Sequence, residues 1–322
     1  MRNRDKANQL RMVALIALAI ISILLYIFYG LNGSYDYALP RRTIKVVAMA
    51  FTGVAIAYST VIFQTITHNR ILTPSVMGLD SLYMLIQTCI YFFFGGVSMF
   101  VMNKYLNFTI AVVAMVVFAL LFYRLLFKEG KRPIYFLLLV GMITGTFLGS
   151  ITTFMQVIID PNEYLSLQNK MFASFNNVNG DLVWFAGAII VVTLIYGWRL
   201  MNSLDVMTLG RENAINLGVQ YDKLVKTMLV LSSVLIAVST ALVGPITFFG
   251  LIVANLSYQF FETYKHKTLI VGAGLMSIVA LVGGQFIVER LFTFNTTLSV
   301  IINFIGGIYF IYLLLKESRS AK

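Results

Sequence analysis

Two histidines, one cysteine and thirteen carboxylates are all that this 322-residue chain offers for metal, proton or covalent chemistry. His68 and His266 fall at the edges of apolar runs, and Cys89 lies inside one. An iron or zinc site needs several His, Cys or carboxylate ligands converging on one point, and no such grouping stands within the apolar segments. Haem ligation by paired histidines lacks support for the same reason. Each histidine therefore reads most simply as a polar residue at a loop edge, and Cys89 as a small buried hydrophobe. A single cysteine excludes a disulfide within the chain. No Gly-x-x-x-x-Gly-Lys-Ser/Thr pattern occurs, so the chain does not hydrolyse ATP by that route. A nucleophile–base pair is missing as well, so no catalytic residue is assigned, no cofactor is expected and the chain reads as a non-enzyme. Carriers driven by protons or sodium need carboxylates inside the bundle. Only Glu289 and Asp80 come near membrane depth, both near helix ends. That scarcity places the energy source on another subunit.

The elements that must position these groups follow from composition. Hydrophobic residues make up 59% of the chain and charged residues 11%. A soluble protein carries roughly 25% charged residues, so the bilayer is the solvent that fits. The formal charge of +11 sits in short loops, without the basic face that nucleic acid requires. A helix needs about 20 apolar residues to cross the hydrocarbon core. Ten segments qualify, at 12–30, 46–66, 79–99, 106–127, 133–158, 182–200, 222–243, 246–262, 268–289 and 297–315. The eighth is the weakest, because it is short and begins at the breaker pair Gly244-Pro245. The basic N-terminal stretch reads as leading into a retained first helix, since no small-residue cleavage site follows its long apolar run. The fold class expected is all-α, a polytopic bundle of about ten transmembrane helices forming one domain over 1–322.

Lys and Arg are enriched in cytoplasmic loops. With alternating helices and both termini inside, Arg41, Arg42, Lys45, Lys104, Lys170 and Arg290 fall outside and the other 18 of the 24 fall inside. Two connections exceed simple turns, an outer one at 160–181 and an inner one at 202–221. Gly53, Gly141, Gly145, Gly149, Gly272, Gly274, Gly283 and Gly284 are expected to let helices approach closely, with Gly141, Gly145 and Gly149 as one stripe.

Three regions carry a resemblance, the second of them in two stretches, at 209–219 and 244–252. Arg42-Thr43-Ile44-Lys45, Gly53, Gln64 and Asn69–Gly78 are similar to an Arg-x-Pro-Arg element, a glycine, a glutamine and an Asn-Pro-Leu-Ala-x-Pro-x-x-Leu-Gly element. Leu209–Val219 matches Leu-Gly-x-x-x-Ala-x-x-Leu-Gly-Val. Gly244-Pro245-Ile246-Thr247-Phe248-Phe249-Gly250-Leu251-Ile252 matches Gly-Pro-Ile-x-Phe-Val-Gly-Leu-Ile, the most specific of the set. Gly306–Leu314 is similar to the last-helix Gly-Gly-Pro-x-Phe-x-x-Leu-Leu. In this order and spacing the chain resembles the FecCD-type permeases of type II ABC importers, which move iron-siderophores, haem and cobalamin. Ile44 and Arg70 stand where that family has proline. Thr297-Leu298-Ser299 replaces its Pro-x-Gly, and Arg290 lacks the upstream Asp. These departures resemble the catecholate-siderophore branch most.

The resemblance implies a permease subunit in the bacterial plasma (inner) membrane, carrying iron-siderophore complexes inward. Its implied partners are an ATP-binding subunit, a second permease copy or paralogue, and an extracytoplasmic substrate-binding protein. It implies that Leu209, Gly210, Glu212, Ala214, Leu217 and Gly218 belong to a pair of short helices that dock on the ATPase. Gly210 and Gly218 suit helix ends, Leu209, Leu217 and Val219 offer apolar contact, and Glu212 suits an N-terminal turn. It assigns Arg42, Lys45 and Arg290 to docking of the binding protein, and Ile134 and Tyr135 to an inner constriction. The other classes are an ion-coupled secondary transporter without an ATPase, and a membrane enzyme or assembly factor.

Overall fold

The structure, a computed structural model, describes residues 2–30, 35–126, 134–176, 178–292 and 296–320. Its helices run α1 (Arg2–Phe28), α2 (Tyr35–Thr67), a 3-10 turn (Pro74–Met77), α3 (Leu79–Phe94), α4 (Met99–Met102), α5 (Lys104–Leu126), α6 (Ile134–Ile158), α7 (Pro161–Met171), α8 (Gly180–Trp198), α9 (Met201–Met207), α10 (Arg211–Asn216), α11 (Tyr221–Val243), α12 (Phe249–Phe260), α13 (His266–Leu291) and α14 (Leu298–Ser320). No strand occurs among the described residues. The all-α polytopic architecture is the expected one.

Each of the ten expected apolar segments holds a helix, and among the described residues eight helices are long and apolar enough to cross a membrane. The other two are shorter. At about 1.5 Å per residue, the 16 residues of α3 reach about 24 Å and the 12 of α12 about 18 Å, against a hydrocarbon core of about 30 Å. The third segment was expected to run to 99. It stops at Phe94 because Gly95 takes a positive φ of 75°. Segment eight starts three residues late, because Gly244-Pro245 breaks the chain and Phe248 caps α12. Conversely, α2 begins at Tyr35 rather than 46, since its charged first turns find partners at the rim described below.

The core is organised around α2, which packs on α11, α13, α12 and α8. Residues Ala55 to Thr67 of α2 are all buried. Lipid supplies no hydrophobic force between helices, so close packing and hydrogen bonds must hold them. Ser59 and Ser232 show this across α2 and α11, each hydroxyl donating to the other's carbonyl at 3.0 and 3.4 Å. Of the expected glycine stripe, Gly141 and Gly145 pack against Met77 and Gly78, whereas Gly149 has nothing within 4 Å of an added Cβ, and neither has Gly283 on α13.

Gly244 ends α11 at φ 100°, and a Cβ there would lie 2.8 Å from Cα of Ala173. The 172–176 connection is held at this point by Ser174 N–H on the Val243 carbonyl at 2.9 Å. The Ser299 hydroxyl also donates to the Ala173 carbonyl at 3.0 Å. Gly244→Ala combines backbone strain with a backbone clash, each about 1–3 kcal/mol. Thermal unfolding in detergent should show a clearly lowered midpoint; an unchanged one would mean the connection shifts without cost.

Candidate functional site

Functional groups gather at the two ends of the bundle. At one end, α8 gives way to two short helices. Met201, Leu204 and Met207 of α9 and Ala214 of α10 are buried and fix the pair to the bundle. Gly210 (φ 92°) and Gly218 (φ 85°) make the two sharp corners, conformations that side chains with a Cβ disfavour. Leu209, Ile215 and Leu217 remain exposed and form an apolar rim, while Val219 packs partly inward. Glu212 is exposed in the first turn of α10. Arg211 pairs with Asp222 of α11 at 3.4 Å across an exposed surface, which contributes little by itself.

One contact here was not legible in sequence. Asp205 Oδ1 accepts from the backbone N–H of His266 at 2.7 Å and lies 2.6 Å from its ring Nδ1. The other ring nitrogen lies 2.8 Å from the Thr65 hydroxyl on α2. His266 is buried, so the expected loop-edge histidine is instead the pin joining α9 to the start of α13 and the end of α2. Nothing local marks Asp205 and His266 as partners, because 61 residues separate them. His68 is exposed, as a loop-edge residue should be.

At the opposite end, the basic residues meet the C-terminus of α1. Arg42 Nη1 donates to the carbonyls of Tyr26, Ile27 and Tyr29 at 3.1, 3.0 and 2.8 Å. Arg290 Nη2 donates to the same Tyr29 carbonyl at 2.9 Å, and its guanidinium lies over the Tyr29 ring. The last carbonyls of a helix lack internal partners and carry partial negative charge. They draw the two cations together. Lys45 pairs with Glu289 at 3.2 Å and also donates to Asn176 at 2.9 Å. Glu289 further accepts from the Tyr26 hydroxyl at 2.7 Å and from Gln285 at 3.1 Å. Asp80 accepts from the Thr247 hydroxyl at 2.9 Å. Both carboxylates near membrane depth are thus tied into the helix ends. The side chains of Ile134 and Tyr135 lie outside the described residues, as does Pro133; Ile134 opens α6. Among the described residues no group of three or more His, Cys, Asp or Glu could hold a metal.

The same architecture occurs in a solved structure of a metal-chelate type ABC transporter in an inward-facing conformation. It matches with a TM-score of 0.83 over 96% of this chain and 99% of that one, at 23% identity. In sequence the chain is 59% identical over 313 residues to the petrobactin import system permease protein YclO of Bacillus subtilis, covering 97% of this chain and 99% of the relative. It is 35% identical over 311 residues to the petrobactin import system permease protein FatC of Bacillus anthracis, covering 95% and 88%. The FecCD transport family matches residues 9–316, nearly the whole length over which both ends of the bundle are built, and the chain belongs to that family.

Proposed function

We propose that this chain is the single-domain permease subunit, over 1–322, of an ATP-binding-cassette importer that moves iron-siderophore complexes into the cytoplasm. The observation that carries the reading is the α9–α10 pair. It offers an exposed apolar rim on corners only glycine suits, pinned to two long helices by Asp205 and His266. That is the form of a lever worked by a partner. The lever touches an ATP-binding subunit, which hydrolyses ATP for the complex. Both termini and this pair are cytoplasmic, a placement supported by the Lys/Arg distribution. The protein sits in the bacterial inner membrane beside a second permease copy or paralogue. On α6, Thr146, Ser150 and Thr153 lie exposed on one helical face at positions i, i+4 and i+7. That face lines the path between the two permeases. Ile134 and Tyr135, at the start of the same helix, narrow the path on the cytoplasmic side. Petrobactin, the cargo named for the Bacillus relatives, is the substrate to test first. The complex reconstituted in vesicles should take up ferric petrobactin only with ATP inside. A partner ATPase unable to hydrolyse should abolish uptake; uptake that survives and follows an ion gradient would favour the secondary-transporter reading.

The paired guanidiniums of Arg42 and Arg290, with Lys45, form the docking point for a carboxylate of the extracytoplasmic binding protein. Two like charges sharing one carbonyl repel, and an acidic side chain offsets that repulsion. Arg42→Glu and Arg290→Glu should each slow capture of the binding protein about tenfold at low salt, with the difference fading as salt rises. Arg42→Lys, which keeps the charge, separates docking from capping of α1. Wild-type capture rates in both Glu variants at low ionic strength would leave these residues as helix caps alone.

A further inference from the structure

A cavity of about 450 Å³ opens at the end of the bundle opposite the short helix pair. Small-molecule sites span about 300–1,000 Å³. Its walls come from α3, α4, the start of α5, α7, the residues Phe172, Ser174, Val178 and Asn179, the start of α8 and the end of α11. Lys104 and Lys170 line it with Asn107, Asn179, Ser166 and Tyr83, and no Asp or Glu is among the lining residues. Two ammonium groups in a concave, partly apolar wall focus a positive potential into the space.

Lys170 is the unusual member. Its ammonium lies 3.5 Å from Gln87 Oε1 and 5.6 Å from the centre of the Tyr91 ring. Among the described residues it forms no ion pair to a carboxylate. The charged or titratable groups around it are Lys104 across the cavity, Tyr83 and Tyr91 on α3, and Glu163 on its own helix. Glu163 is held by the Gly96 N–H at 3.1 Å. Burial without a counter-charge pushes the Lys170 ammonium down to about 8. A desolvated cation with no acid to answer it is costly to keep and marks a place where an anion belongs.

We propose that this cavity is an anion site on the exterior face, where Lys170 and Lys104 receive the negatively charged oxygen-rich ferric chelate as it enters the permease. The inference rests on the siderophore-import reading above. Lys170 makes charge-assisted contact with the chelate's oxygens, and Lys104 adds a second, more exposed charge at the cavity wall.

The test uses the permease–ATPase complex in nanodiscs, without binding protein, and radiolabelled ferric petrobactin as probe. Lys170 is charged below about pH 8 and neutral above it, and a bound anion holds the proton to higher pH. Wild type should therefore bind the chelate at neutral pH and lose about tenfold in affinity by about pH 10, as a charge-assisted bond is lost. Lys170→Met should bind about tenfold more weakly at neutral pH, with the step gone. Lys170→Arg should restore binding and stay flat with pH, since a guanidinium remains protonated; this also controls for titration of the chelate itself. ATP-driven uptake by wild type in vesicles is measured alongside. Failure of wild-type uptake counts against the transport reading itself. Uptake by wild type together with equal affinity and equal pH profiles in wild type and Lys170→Met overturns the cavity proposal, as does an absence of chelate binding to wild type. If Lys170→Met instead loses capture of chelate-free binding protein, the occupant is that protein's acidic side chain and the proposal is likewise overturned.

Discussion

Replacing Asp205 by alanine is expected to stop ATP-driven uptake while the permease still inserts and binds its ATPase. The carboxylate accepts the His266 backbone N–H at 2.7 Å and contacts its ring nitrogen at 2.6 Å. Removing it strands two buried polar groups, each costing about 1–3 kcal/mol. The loss falls where α9 meets α13 and α2, and not in the wider core, because Met201, Leu204 and Met207 still anchor the helix. The short pair then keeps its fold but loses its rigid tie to the helices it must move. Uptake should fall tenfold or more, and ATP turnover should no longer respond to loaded binding protein. Asp205→Asn retains an acceptor oxygen and should keep much of the activity. Uptake within twofold of wild type in Asp205→Ala would show that the pin carries no coupling.

Gly218→Pro should be as damaging by a different route. Gly218 sits at φ 85°, and its N–H donates to the Ile215 carbonyl at 2.9 Å. Proline fixes φ near −65° and removes the donor, at about 3 kcal/mol or more in ordered backbone. The corner between α10 and α11 must then rearrange. A Cβ at this position meets nothing within 4 Å, so the bundle itself is undisturbed. Insertion should be normal while stimulated ATP turnover and uptake collapse. Gly218→Ala leaves the N–H and adds only the left-handed backbone strain, roughly 1–2 kcal/mol, so an intermediate loss is expected. Glu212→Arg, placed against the helix dipole in α10, costs the fold about 0.3–1 kcal/mol. A larger functional loss in that variant would reflect contact with the ATPase. Co-purification and turnover at wild-type levels in both Gly218→Pro and Glu212→Arg would remove the α9–α10 pair from the coupling path.

Lys170 and His266 show how differently a site is written in a sequence. Both are single polar residues near apolar runs, and neither has a local motif that marks it. Lys170 counts as one of six outer basic residues until the 450 Å³ cavity and the missing carboxylate set it apart. His266 is a loop-edge residue until Asp205 arrives from 61 positions away. The α9–α10 corners were legible through the resemblance, whose motif is local and places a glycine at each helix end. Gly210 and Gly218 stand in a short segment whose turns demand positive φ. Arg42 and Arg290 were legible as a pair only through the resemblance. That they meet on the Tyr29 carbonyl is a fact of packing between α1, α2 and α13.

By itself the sequence determined that the chain lives in a bilayer, that it is helical throughout, where its ten apolar segments lie, and which family it resembles. Those follow from composition, from apolar run length set against a fixed hydrocarbon thickness, and from motifs a few residues long. The tertiary structure alone decided that α3 stops short of a full span, since Gly95 turns the chain at its C-terminal end with a positive φ; the shortness of α12 was already marked in the sequence by the Gly244-Pro245 break. It decided which glycines pack, because Gly145 has the Gly78 backbone opposite it and Gly149 has none. It also decided which ionisable groups are answered and which are left waiting. Glu289 is met by Lys45 and Asp205 by His266, while Lys170 forms no ion pair among the described residues. Burial and pairing join residues far apart in the chain, and no local pattern of types and spacings encodes them.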